Sequence, residues 1–307
     1  MKIEKKKEFL KESKSRKVFN FCNVLFLGVF AFATFYPFWY VLILSFNTGR
    51  DALKGGIWLW PRAFTLENFT LALQDDRMFR SLGVSVFITF MGVLLGLVLM
   101  SLVAYAMSVK EFPGKTAFSF YWYFTTMVGG GMIPYYLLLR SLGLNKTIWL
   151  YIIPGIYSFS RFIMIRTYFQ NIPYELRESA ELDGAGHFVI AFKIYMPLAK
   201  PMLATQGLMI GVSKWNDWFT GAYYQTKSKL YPAATVLQMI MSETTQKLAE
   251  QFGERTETLT SSAGLSSYTS TSIQYAFVIL LTMPILVAYP FIQKYFVKGM
   301  LVGSVKG

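Results

Sequence analysis

The sequence predicts an all-α, polytopic membrane protein with six spanning helices, on three observations. Apolar residues make up 54% of the 307-residue chain and charged residues only 15%. A soluble domain carries about 25% charged residues, and a disordered chain has far fewer apolar ones. Second, the stretches 18–49 and 81–109 contain no charge at all. Third, the cations are unevenly placed: the formal net charge is +13, and eight of the 30 Lys+Arg lie in the first 17 residues. That pattern is a cytoplasmic flank beside anionic lipid, and no nucleic acid is expected as a partner. The chain divides into this basic tail, 1–17, and a single transmembrane domain, 18–307.

A span needs about 20 mostly apolar residues, because the hydrocarbon core is about 30 Å thick. The first is 19–46, too long for a signal-peptide core and without a small-residue cleavage site. The second and third are 81–109 and 116–139. The fourth, 147–168, is interrupted by Pro154-Gly155 and Arg161, and the fifth, 201–224, by Lys214 and Asp217. The sixth is 271–292. Glycines at 92 and 96 read as a close-packing pair, and Gly129–Gly131 with Pro134 as either a broken helix or another close contact.

Orientation follows from the basic residues: with the amino terminus inside, inner segments hold 18 Lys+Arg and outer segments 11. Both termini are therefore expected in the cytoplasm. The outer loops are then 47–80 and 225–270, with a short surface helix near 242–252, and no internal repeat is visible. One cysteine, Cys22, excludes an internal disulfide framework, and one histidine, His187, excludes a histidine metal cluster.

The inner segment 170–197 is the most informative. Pro173 suits the first turn of a helix, Glu175 and Glu178 sit near the positive end of its dipole, and Gly184 can end it. A second helix then runs from 188 to 195, ahead of Pro197. Two short amphipathic helices here suit docking to a partner protein; an interfacial connector between spans is the plainer alternative. His187 reads as an exposed residue of this loop.

Glu178-Ser179-Ala180, then Gly184, Ile194 and Pro197, resembles the EAA loop of binding-protein-dependent ABC importers. Ser179 for Ala and Met196 for Leu are mild departures. Gly129-Gly-Gly-Met-Ile-Pro134, Trp215-Asn-Asp-Trp218, Tyr231-Pro-x-x-x-x-Leu-Gln238 and the ending Lys294-Tyr-Phe-Val-Lys-Gly299 resemble the smaller permease of maltose-type carbohydrate importers, in the oligosaccharide and polysaccharide branch. The resemblance implies a type I importer permease fold in a prokaryotic plasma membrane. It implies a second homologous permease, two cytoplasmic ATPase subunits and an extracellular or lipid-anchored solute-binding protein as partners. It also implies roles. Glu178 meets a basic or polar group in the ATPase cleft, Ser179 and Ala180 allow close approach, Gly184 makes the bend, and Asp183, Ile194 and Pro197 complete the motif. The chain itself holds no Gly-x-x-x-x-Gly-Lys-[Ser/Thr] loop. It is therefore expected to bind no cofactor, with ATP and Mg on the partner subunits, and to be no enzyme.

The polar break in span five is the second candidate site. Lys214 and Asp217 are three apart, which on one helix would place them on one face with Trp218. A charge at membrane depth costs about 2.5–3.5 kcal/mol on insertion scales, so such residues face a cavity or a partner. Lys214, Trp215, Asn216, Asp217 and Trp218 together offer aromatic faces and hydrogen-bonding groups to a sugar. An aromatic belt with a structural ion pair accounts for the same residues. In a different class, an ion-coupled secondary transporter would use Lys214 and Asp217 as its coupling site.

Overall fold

The computed structural model describes residues 14–74, 76–253, 269 and 271–287. Among these the chain is helical, with one isolated antiparallel bridge between Asn47 and Phe64. The tail 1–13, the stretch 288–292 of the sixth span and the ending 294–299 lie outside the described residues.

α1 (Lys14–Ser45) is 32 residues long, about 48 Å at 1.5 Å per residue. Its apolar side chains from Val18 to Phe38 are exposed; only the end packs, with Ile43 and Leu44 against Ile57. A rod that is apolar all round is at home in lipid or against another chain. The following loop is tied down by side chains: the one-turn α2 (Gly49–Ala52) presents Asp51 to Arg62 at 3.0 Å, and Asn68 at the start of α3 (Glu67–Gln74) donates to the carbonyls of Ser45 and Asn47.

α4 (Asp76–Ser108), 33 residues, is the central helix. Ser81, Ser85, Ile88, Gly92, Gly96, Met100 and Ala104 form its buried stripe at three- and four-residue spacing. α11 (Lys200–Trp215) crosses it closely. A Cβ at Gly92 would sit 3.1 Å from Lys214 Cγ, and one at Gly207 would sit 3.1 Å from Leu97. The glycine pair in α4 is thus a packing device, answered by Gly207 and Gly211 on α11.

The third predicted span is two helices, α5 (Lys115–Met127) and α6 (Met132–Ser141). Gly131 between them has φ +80°, and Cβ atoms at Gly129 and Gly131 would touch nothing. These glycines bend the chain instead of packing it. The fourth predicted span is irregular from Leu144 to Ser158, with two 3₁₀ turns, before α7 (Phe159–Gln170). The candidate docking segment follows as α8 (Tyr174–Leu182), α9 (His187–Ile190), a π turn Ala191–Tyr195 and α10 (Met196–Leu198). α10 meets α11 at an 85° bend. The fifth predicted span is also divided, into α11 and α12 (Phe219–Tyr224).

α13 (Ala233–Gly253) is longer than the surface helix expected at 242–252. It begins just after Pro232 and buries Ala233, Ala234 and Val236, with Val236 against Met78, Ala276 and Phe277. α14 (Thr271–Val287) is the described part of the sixth span. By length and hydropathy, α1 and α4 can each cross a membrane alone, and the bent α9–α11 pair makes a third crossing if taken as one span.

Candidate docking loop and substrate path

The docking loop is built by local rules. Pro173 has ψ 130° and stands just before the first turn of α8. At the other end Gly184 takes φ +81°. The Ala185 N–H bonds the Ala180 carbonyl at 2.9 Å, and the Gly184 N–H bonds that of Glu181 at 3.0 Å. This is a Schellman stop, which needs glycine at that φ. The next helix runs through Pro197, whose missing N–H is absorbed by the wider π turn ahead of it.

The loop shows one face and buries the other. Glu178, Ser179, Asp183, Gly184 and Pro197 are exposed, and Ala180 and Ile194 are half-buried. Leu182 and Phe188, on either side of the Gly184 turn, are 84% and 72% exposed. Beneath, Ile190, Ala191 and Tyr195 enter the core formed by Met100, Ala104 and Tyr105 of α4 and Phe169 of α7. His187 is exposed, and its Nδ1 shares a 3.2 Å hydrogen bond with the Tyr105 hydroxyl.

Sequence reasoning missed Arg177, which is 6% exposed inside this exposed loop. Its Nε donates to Glu181 Oε1 at 2.7 Å and its Nη1 to Glu111 Oε2 at 3.3 Å. The Tyr174 hydroxyl donates to Glu111 Oε1 at 3.3 Å, and Lys110 Nζ lies 4.8 Å from the Tyr174 ring. Glu111 belongs to the turn between α4 and α5. Its carboxyl is held below its ordinary value, first by its own backbone N–H, with burial opposing and Arg177 and Tyr174 adding. The Arg177–Glu181 spacing of four was visible in the sequence; Glu111 is a tertiary partner and was not.

The polar break resolves differently from its expectation. α11 stops at Trp215, so Lys214, Asp217 and Trp218 do not share a helix face. Asp217 Oδ1 instead accepts from the Thr220 N–H at 3.0 Å and caps the start of α12. Among the described residues Lys214 and Asp217 form no ion pair. The Lys214 stem runs along Gly92, its ammonium reaches Gly155, where a Cβ would sit 2.6 Å from Nζ, and it donates to the Tyr151 carbonyl. Trp215 is buried against Ala233, Ala234 and Leu281, with Nε1 donating to the Leu281 carbonyl at 3.0 Å.

What stays open is Asn216 and Trp218, the latter 38% exposed, with Asp217 half-buried between them. Trp218 meets Phe219 at 5.8 Å and Tyr223 at 6.3 Å, and Tyr224 meets Tyr135 of α6 edge-on at 5.3 Å. Tyr135 follows the Gly129–Gly131 break directly. An aromatic surface with a carboxylate and an amide beside it is thus assembled from α6 and α12. Tyr135 and Tyr223 were not singled out, although Phe219-Thr-Gly-Ala-Tyr-Tyr224 continues the aromatic run.

No protein-family model matches the chain. Protein LplC of Bacillus subtilis (strain 168) is 35% identical over 295 residues, covering 96% of this chain and 97% of that one. The polygalacturonan/rhamnogalacturonan transport system permease protein YtcP of the same strain is 35% identical over 293 residues, covering 95% and 99%. The chain belongs to the carbohydrate ABC importer permeases. A crystal structure of a bacterial ABC transporter involved in the import of the acidic polysaccharide alginate matches this permease with a TM-score of 0.83 at 29% identity, over 93% of this chain and 99% of that chain. The fold of the permease is therefore that of an importer subunit.

One further feature stands at the Asp76 end of α4. A pocket of about 170 Å³ is lined by Arg77, Arg80, Lys229, Tyr231 and Glu243, among others. Among the described residues its charged lining is Arg77, Arg80, Lys229 and Glu243. Arg77 and Arg80 lie in the first two turns of a helix, where the dipole disfavours cations.

Proposed function

We infer that this permease is one of two membrane subunits of an ATP-driven, binding-protein-dependent importer of oligosaccharides, acidic fragments foremost. The observation that carries the reading is the exposed docking face, Glu178-Ser179 with Leu182 and Phe188 around the Gly184 turn. Large apolar side chains left open beside a glutamate suit a partner's cleft better than bare solvent. ATP and Mg bound by two cytoplasmic ATPase subunits would close those subunits around α8. The motion would reach α11 through the 85° bend and turn the cavity from one side of the membrane to the other.

Six crossings with both termini in the cytoplasm fit this role, the third to fifth being composite. The exposed apolar length of α1 fits lipid or the second permease. On the substrate path, Trp218, Tyr223 and Tyr135 offer ring faces to sugar C–H groups, and Asn216 and Asp217 offer hydrogen bonds. Each is a contact of about 1 kcal/mol, weak enough to release cargo. The acidic class is supported by Arg80 and Lys229 in the pocket at the Asp76 end of α4, and by relatives that transport polygalacturonan/rhamnogalacturonan or take part in the import of alginate. Ion coupling through Lys214 and Asp217 is disfavoured, because Lys214 is pinned to the Tyr151 carbonyl and Asp217 caps α12.

The test is reconstitution. The permease is expected to co-purify with an ATPase and a second permease, and galacturonate oligosaccharides presented by the cognate binding protein are expected to stimulate ATP hydrolysis. A chain that transports alone, driven by an ion gradient, would overturn the reading.

A further inference from the structure

We propose that Arg177 is a positioning residue that clamps the docking helix α8 to the cytoplasmic corner of α4, so that the ATPase stroke enters the membrane domain through α4 as well as through α11. The inference rests on the importer reading above and deepens it. α8 is a nine-residue helix in a loop, and its own backbone connects it forward only to the α9–α11 bend. Glycine at 184, with φ +81°, makes that connection a turn and not a continuous rod. A push on Glu178 or Leu182 alone would therefore tip α8 about this turn.

The Arg177 guanidinium prevents such tipping. It is the buried charge of an otherwise exposed helix, and its donors are divided between two elements: Glu181 on its own helix at 2.7 Å and Glu111 in the α4–α5 turn at 3.3 Å. Tyr174, one turn earlier on α8, bonds the second oxygen of the same Glu111. Two residues of α8 thus hold both oxygens of one carboxylate on a different element, which fixes angle as well as distance. A second tie lies nearby, where Tyr105 of α4 meets His187 at 3.2 Å and Tyr195 edge-on at 5.0 Å.

The helix so engaged suits transmission. α4 is 33 residues long, about 50 Å. Its buried stripe includes Gly92 and Gly96, where an added Cβ would lie 3.1 Å from Lys214 and 3.4 Å from Ile210 of α11, and close-packed contacts pass displacement without slack. The clamp makes α8, α4 and α11 move as one body.

The experiment uses the complete importer in liposomes with its binding protein and trigalacturonate as probe. Spin labels at 175 and 109 read the α8–α4 distance without nucleotide and with ATP–vanadate. In the wild type this distance is expected to stay constant across the two states while trigalacturonate is taken up. Arg177→Met is expected to assemble with the ATPases and hydrolyse ATP at the basal rate, to lengthen or broaden the distance on trapping, and to lower uptake per ATP about tenfold. Arg177→Lys, which keeps the charge but not the fork, should recover part of it. Glu111→Gln, at a 60% exposed side chain, guards against misfolding of the arginine variant and should uncouple to a smaller degree. The double variant should be no worse than Arg177→Met alone, since both act on one contact. Normal uptake per ATP in both Arg177→Met and Glu111→Gln would overturn the clamp and leave the importer reading intact. So would a fall in assembly with unchanged coupling of the assembled fraction, which marks a merely structural arginine. Failure of the wild type to couple ATP to any uptake would sink the importer reading and the clamp together.

Discussion

The docking loop and the break between α11 and α12 carry similarly polar sequences, yet the first displays its motif and the second buries half of its own. In the docking loop, Glu178 and the neighbouring Leu182 and Phe188 are exposed over a packed base of Ile190, Ala191 and Tyr195. At the break, Lys214 and Trp215 turn inward, one to the Tyr151 carbonyl and one to that of Leu281, while Asn216 and Trp218 stay open and Asp217 is half-buried. The difference teaches where local rules suffice. A turn glycine fixes a chain reversal without tertiary help. The direction of a lysine in a span depends on which glycines leave it a channel, here Gly92 and Gly155.

The largest expected effect comes from the displayed side. Gly184→Leu must take φ +81° with a side chain, at about 1–2 kcal/mol or more, and removes the bend. Together with Glu178→Lys it is expected to abolish ATP-coupled uptake while membrane insertion, read by surface labelling and yield, stays normal. Uptake within twofold of wild type in both variants would remove the distinction between a working loop and a connector.

The next effect separates the two halves of the break. Trp215→Ala should cost about 3–5 kcal/mol of stability as a buried large-to-small change, seen as a lowered Tm of the purified complex. Lys214→Met leaves the Tyr151 carbonyl short of a donor, about 1–3 kcal/mol, with uptake by the assembled complex little changed. Trp218→Ala and Tyr223→Ala should show the opposite: unchanged Tm and uptake reduced about fivefold each, the factor of about 1 kcal/mol. Lys214→Met that abolishes uptake by an intact, stable complex would restore the lysine to the path.

How much of this was legible in the sequence depends on the range of each signal. The helix stop at Gly184, the exposure of Glu178 and the packing role of Gly92 and Gly96 follow from residues within one turn or one stripe. The clamp of Arg177 by Glu111 joins residues 66 apart, and nothing in either neighbourhood names the other. The expected shared face of Lys214, Asp217 and Trp218 assumed a helix continuing past Trp215. Asp217 is a better cap than helix interior, and that local rule, properly weighted, would have ended the helix there. The short surface helix expected near 242–252 was placed from its polar end, while the apolar start of α13, Ala233 to Ile240, packs under α4 and sets its true beginning.

The smallest effect is one of pH, at the loop after α1. Arg62 beside Asp51 holds that carboxyl below its ordinary value, with the Asn47 amide helping and burial opposing. A depressed carboxylate stabilises the folded loop above its unfolded pKa, about 3.9, and the stabilisation is lost as pH falls through the lower folded value. Hydrogen exchange of residues 47–66 should therefore be unchanged from pH 7 to 5, once corrected for the intrinsic rate. Protection should weaken below about pH 4, and Arg62→Gln should move that onset upward.

The central claim is that α8 is the point at which an ATPase engages this carbohydrate permease, and a photo-reactive residue at Ser179 tests it most directly. Ser179 is exposed and next to Glu178. In membranes containing the assembled importer, illumination is expected to give an adduct of the permease with an ATPase subunit. The yield should change between nucleotide-free and ATP–vanadate states, and it should disappear with Gly184→Leu. An adduct confined to lipid, or none at all, from a complex that still couples ATP hydrolysis to uptake would contradict the account.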